Sequence, residues 1–136
     1  MTLQNNERKA LVAYRIEKAL NALKEARDVA SLGHWNLAVQ RLYYSTYYAQ
    51  TALLLSRGES ASTHMGVKAM IGRDFVKTGI LTKEEGSLLG RLFSMRHTGD
   101  YEDSFDWTQA DVKPLLAPTE ELVNKIIGLI EKSEIK

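Results

Sequence analysis

The chain contains no cysteine. Disulfides and thiolate metal sites are therefore excluded, and the composition is compatible with a reducing compartment. It contains two prolines, Pro114 and Pro118, so everything before them is free of the strongest helix breaker. It has almost no excess charge: 18 Lys+Arg stand against 17 Asp+Glu, a net of +1. That argues against an extended basic nucleic-acid surface, while leaving room for a small cleft that handles RNA. It lacks any apolar run near the roughly 18–20 residues needed to span a bilayer. The longest candidate, "TALLLS", is short. The first residues, "MTLQNNERKALVAYRIEKAL", show no apolar signal region. Cytoplasmic localisation with no membrane partner is the expectation.

Motif absences narrow the chemistry further. There is no P-loop and no GxGxxG, and "GESAS" is not a nucleophile elbow. The three histidines, His34, His64 and His97, are dispersed without HExxH-like spacing, so neither a metal nor a cofactor is expected. What remains is 136 residues, 44% hydrophobic and 26% charged, the composition of one soluble domain over 1–136.

The helical signal is strong and glycines divide it. Ala, Leu, Glu, Lys and Arg dominate about Asn6 to Ser31, with Gly33 as the terminating residue. A second helix is expected from about Trp35 to Ser56, ending at Arg57-Gly58. Ser62 or Thr63 caps a third, to about Lys77, closed by Thr78-Gly79. Thr82 opens the fourth, with Glu85 completing a capping box. It is expected to reach about Thr98, with Gly99 able to end it. Thr108 and Asp111 cap a last helical region, in which Pro114 and Pro118 predict a kink or break. No strand alternation is evident. The class is all-α, an up-and-down bundle of four to five helices.

Two segments depart from ordinary helical sequence. In "RLYYSTYYAQTALLL", Tyr43 and Tyr47, and Tyr44 and Tyr48, lie one turn apart. Apolar side chains point in almost every direction from this helix, from Leu37 to Leu55. It must be central, or have its second face covered by another subunit. The tyrosines are core aromatics with hydroxyls reaching a partner, or else line a cleft to which Arg41, on the face of Tyr44, Ser45 and Tyr48, contributes.

The second segment is "LLGRLFSMRHTGDYEDSFDW", Leu88 to Trp107. Leu88, Leu89, Leu92, Phe93 and Met95 form an apolar stripe. Arg96 projects near its middle, whereas Arg91 and His97 project away from it. A buried, unpaired charge costs at least several kcal/mol. Arg96 therefore needs a partner or a wet cleft, and Asp100 is the nearest acid. Either the two form an internal ion pair, or the Arg96 guanidinium receives a phosphate beside His97, the only nearby group that titrates near neutrality. His64, at the start of the third helix, reads as a neutral capping or hydrogen-bonding group, and His34 as exposed.

Taken in order, "RLYYSTYYAQTALLLSRG", "STHMGVKAMIGRDFVKTG", "LGRLFSMRHTGDY" and the final amphipathic helix resemble a HEPN domain of the small prokaryotic single-domain branch, over about residues 8–133. The resemblance implies a four- to five-helix bundle that homodimerises. Many HEPN proteins are metal-independent RNases, with an Arg-x4–6-His motif from each subunit meeting in the dimer cleft. Several are toxins paired with a minimal nucleotidyltransferase antitoxin, and others are inactive binding modules. If Arg96 is the motif arginine, Tyr101 occupies the histidine position, and Arg96, Asp100 and Tyr101 match the "R...DY" of this branch. If Arg91 is the motif arginine, His97 follows at the required spacing. The resemblance thus implies a nucleotide- or RNA-phosphate-binding partner of a nucleotidyltransferase. Arg96, Asp100, Arg41, Tyr44 and Tyr48 are the binding candidates. Arg96, His97 and Tyr101 are the candidates for catalysis should the chain be an active RNase. The third reading is a structural dimerisation module without ligand.

Overall fold

Three glycines with left-handed backbone, Gly33 (φ 79°), Gly58 (φ 79°) and Gly79 (φ 85°), mark where the chain turns. Side chains other than glycine rarely adopt this conformation, so these positions fix helix ends. The structure is a computed structural model. It describes the backbone of residues 5–101 and 106–134, and side chains over 5–98 and 106–132. Five α-helices result: α1 (Asn5–Ser31), α2 (Trp35–Ser56), α3 (His64–Ile71), α4 (Lys83–Tyr101) and α5 (Gln109–Glu134). A π-helical turn, Gly72–Val76, continues α3. Every regular element among the described residues is helical, so the protein is an all-α bundle, as its sequence predicts. None of the helices described is long and apolar enough to cross a membrane.

α2 lies at the centre and packs against α1, α3, α4 and α5. Its all-round apolar character is used as expected. Ala38, Val39, Leu42, Ala49, Ala52, Leu53 and Leu54 are at most 1% exposed. Leu37, in its first turn, is the exception and is largely exposed. The apolar stripe of α4 also holds, with Leu89, Leu92 and Met95 buried and Leu88 and Phe93 packed at the core's edge. At the third helix, the structure selects Thr63 over Ser62 as cap, its side chain accepting from the Gly66 amide at 2.9 Å.

Two sequence expectations fail. Gly99 does not end α4, which runs on through it to Tyr101. A glycine inside a helix costs about 1 kcal/mol relative to alanine, less than burial of Leu92 and Met95 in the preceding turns supplies. Of the kink or break expected at the prolines, the break does not occur: α5 is continuous from Gln109 to Glu134. Pro114 and Pro118 are four residues apart, on one exposed face. There the carbonyls that lose an amide partner can take water instead. An interior proline costs ~3 kcal/mol. The opposite face buries Val112, Leu115, Leu122, Val123, Ile126 and Ile130, each contributing about 1.5–3 kcal/mol. Packing therefore outweighs the two breakers.

The start of α4 is fixed as its sequence predicts. The Thr82 amide donates to Glu85 Oε1 (2.8 Å) and the Glu85 amide to Thr82 Oγ1 (3.0 Å). Lys125 of α5 donates to the same Glu85 carboxylate at 2.7 Å. Burial opposes the Glu85 charge, but the hydrogen bonds from Lys125 and Thr82 prevail and hold its carboxyl below the ordinary glutamate value. A depressed carboxyl stabilises the fold above its unfolded-state value, and that contribution is lost as pH falls through the folded-state value. Glu85→Ala is expected to cost about 1–2 kcal/mol, the loss of a cap and a charge-assisted hydrogen bond. Urea denaturation at pH 7 and at successively lower pH measures it. The gap between wild type and variant should shrink on acidification, and a pH-independent gap would contradict this account.

Candidate functional site

The i, i+4 spacing on α2 stacks tyrosines in two neighbouring rows, and α4 delivers Arg96 to them. The Arg96 guanidinium carbon lies 5.6 Å from the ring centres of both Tyr43 and Tyr44. Its Nη2 donates to the Tyr44 hydroxyl at 3.2 Å. This is how a charge on an apolar stripe is accommodated: ring faces are electron-rich and attract the cation, by about 0.5–2 kcal/mol according to exposure. Arg96 is half-buried, whereas Arg91 and His97 are exposed. The two arginines thus differ in the way the helix projection predicts.

Two further cations lie on rings of this aromatic group, Arg41 on Tyr44 and Lys18 on Tyr48. Arg41 lies 5.4 Å from the Tyr44 ring centre and pairs with Glu25 of α1 at 3.3 Å. Lys18 of α1 sits between Tyr14 and Tyr48, 5.7 Å from each ring centre. The Tyr44 and Tyr48 rings are themselves in contact, with centres 6.0 Å apart. Of the residues singled out from sequence, the structure brings Arg96, Arg41, Tyr44 and Tyr48 to one face. Ser45 instead turns toward α1, where its hydroxyl donates to the Ala19 carbonyl at 2.8 Å. The side chains of Asp100 and Tyr101 lie outside the described residues.

His64 is the residue whose place the sequence did not reveal. As the first residue of α3 it stacks on Tyr47, with ring centres 4.1 Å apart and planes 7° from parallel. Its Nδ1 is hydrogen-bonded to the Tyr43 hydroxyl. Burial, followed by the Arg96 charge, lowers its pKa below the ordinary 6.5. Burial pushes the Tyr43 phenol well above the ordinary tyrosine range, with Arg96 opposing. Both groups are therefore neutral at pH 7, and the neutral state expected from sequence has this cause rather than the helix end alone. The bond joins two neutral groups, and which of them donates is set by the imidazole tautomer. The signal in the sequence was the Tyr43–Tyr47 spacing, but nothing in it says which residue of α3 meets that pair.

A loop clamp borders the cluster. Asn36, at the start of α2, accepts from the Trp107 amide at 2.7 Å and donates to Asp106 at 2.9 Å. The Trp107 indole donates to the Met95 carbonyl at 3.3 Å. Together with Arg96, Asn36 and Trp107 line a recess of about 210 Å³. The recess itself offers the Arg96 guanidinium and the Trp107 indole, while the stacked tyrosine and histidine rings lie outside its lining.

His64 supplies a direct check. Its imidazole should titrate below 6.5 in NMR spectra of the folded protein. Arg96→Met should move it part of the way back up, because burial, the larger cause, persists. The associated stability is present above about pH 6.5 and declines as pH falls toward the folded-state value, since the unfolded chain binds the extra proton first. An imidazole titrating at or above 6.5 in the wild type would contradict the geometry.

Comparison with known proteins agrees with this architecture. The profile of the HEPN domain family matches residues 12–131. A protein of Thermotoga maritima named "UPF0332 protein" is 36% identical over 126 residues, spanning 93% of this chain and 96% of its own. A protein of Methanocaldococcus jannaschii whose name begins "Putative toxin" is 30% identical over 122 residues, spanning 89% of this chain and 83% of its own. The crystal structure of TT1696 from Thermus thermophilus superposes with a TM-score of 0.67 at 18% identity, over 89% of this chain and 96% of that one, and so shares the fold. By the extent of the profile match and the identity of its full-length relatives, the chain belongs to the HEPN domain family.

Proposed function

We propose that this HEPN protein is the toxin-side member of a two-protein pair. In this reading it forms a homodimer, is partnered by a minimal nucleotidyltransferase, and binds nucleotide or RNA phosphate at Arg96. The observation that carries the reading is the placement of Arg96 against the Tyr43 and Tyr44 rings, with Arg41 and Lys18 on neighbouring rings of the same face. Cations interleaved with aromatics match single-stranded RNA, whose phosphates take the charges while its bases stack. The name of the Methanocaldococcus relative supports a toxin role. The near-neutral net charge fits a local site rather than a broad basic surface.

Metal-independent RNA cleavage is the second reading. One observation favours it: an imidazole kept neutral, His64, shares the ring cluster with Arg96. Nδ1 of His64 is engaged by the Tyr43 hydroxyl, so proton transfer at that nitrogen would require the bond to open. This cost places phosphate binding ahead of cleavage.

Fluorescence anisotropy with a labelled single-stranded RNA tests the site. Arg96→Ala should weaken binding at least ten-fold, and Arg91→Ala should leave it within two-fold. Equal losses in both variants would sink the assignment. Incubated alone with RNA, the wild-type protein should produce no cleavage above background. Cleavage abolished by Arg96→Ala and by either His64→Ala or His97→Ala would establish the second reading instead. Sedimentation at tens of micromolar should show a dimer, and the purified nucleotidyltransferase should co-elute with it.

A further inference from the structure

His64 and Arg96 are joined through two shared rings. The guanidinium carbon of Arg96 lies 5.6 Å from the ring centres of Tyr43 and Tyr44. The His64 ring lies 5.7 Å from that of Tyr43 and 6.1 Å from that of Tyr44, centre to centre. One of its faces is covered by Tyr47 at 4.1 Å. A cation and an ionisable ring are thus held on the same pair of side chains. The cluster is partly buried, so salt screens charges within it less than at an open surface.

The surroundings of His64 oppose a proton from every side. From α2 it meets the phenol rings of Tyr43, Tyr44 and Tyr47. From α4 it feels the Arg96 guanidinium. On α3 itself Lys68 follows one turn later, its ammonium over the Phe93 ring at 5.1 Å. The start of a helix is also a poor place for an imidazolium. Among the described residues no carboxylate acts to favour the proton. The bond to Tyr43 does not forbid it, however. A neutral imidazole can stand on either side of that bond, whereas an imidazolium can only donate. Protonation therefore makes the Tyr43 oxygen the acceptor whichever tautomer is present at neutrality. The cluster can take up a proton and keep its contacts.

Part of what holds the proton off is thus the charge of Arg96. An anion seated on that guanidinium offsets the charge and leaves burial as the main opposition. Coupling of this kind is reciprocal: the factor by which the anion favours protonation is the factor by which protonation favours the anion. We propose that His64 is a further residue of the Arg96 site, acting on the ligand through charge rather than contact: anion binding at Arg96 draws a proton from solvent onto its imidazole, and the site tightens as pH falls. This rests on the reading of Arg96 as a phosphate-binding group. The bound form holds its proton to higher pH than the free form. Binding therefore tightens as pH falls through the bound-state value and levels off below the free-state value. His97, exposed and adjacent to Arg96 in the chain, is the competing source of any such effect.

Fluorescence anisotropy of the full chain with a labelled oligouridylate measures the coupling, because neither its bases nor its phosphodiesters titrate between about pH 5 and pH 7.5. The wild type should bind at least three-fold tighter at the lower pH. His64→Gln, which keeps a hydrogen-bonding side chain, should stay within two-fold of wild type at the higher pH and lose the pH dependence. His97→Gln should keep it. A second measurement needs no variant. In NMR spectra of the wild type, the His64 imidazole should titrate at higher pH with saturating oligouridylate than without, by the amount that the gain in affinity requires. An unchanged His64 titration would overturn the proposal, as would a pH dependence that survives His64→Gln, and both would leave phosphate binding at Arg96 standing. Binding that Arg96→Ala leaves unchanged would remove that reading, and the proposal with it.

Discussion

The bundle depends on a central helix that has almost no face left for water. Thirteen residues of α2 are buried, from Ala38 to Leu55, and every other helix packs on it. Where small side chains such as Ala49 and Ala52 point outward from its axis, neighbouring helices can approach closely. Where Tyr44, Tyr47 and Tyr48 point outward, they cannot, and rings with polar edges are left half-covered. The candidate site is the place where burial of α2 is incomplete. Arg96 enters there because the rings provide what an apolar stripe does not: electron-rich faces and a hydroxyl.

The same constraint explains how charge is distributed. The chain's positive charges are scarcely in excess, yet Lys18, Arg41 and Arg96 gather around three adjacent rings. Glu25 offsets one of them. The lowered pKa of His64 follows first from burial and then from the Arg96 charge. A neutral, hydrogen-bonded imidazole adds no further repulsion to a region that already holds guanidinium groups.

Much of the fold could be read from residues because its signals are local. Gly33 and Gly58, the Thr82–Glu85 box and the α4 stripe each act within a few positions of themselves. The continuity of α5 was not legible, since it depends on what its apolar face meets, and Pro114 and Pro118 obey that burial rather than their own preference. Half of the candidate site was visible for the same reason. Arg96 and the tyrosine rows follow from helical projection. The meeting of His64 with Tyr43 and Tyr47 joins residues 21 positions apart through a loop whose path no spacing rule encodes.

The shared carboxylate of Glu85 has one more consequence. It caps α4 and also holds Lys125, deep in the second half of α5. A cap normally protects its own first turn, and helix ends fray independently of one another. Here the start of α4 and the later turns of α5 draw on one group, so loosening either removes support from the other. In the language of hydrogen exchange, opening the first turn of α4 also releases one side-chain tether of α5.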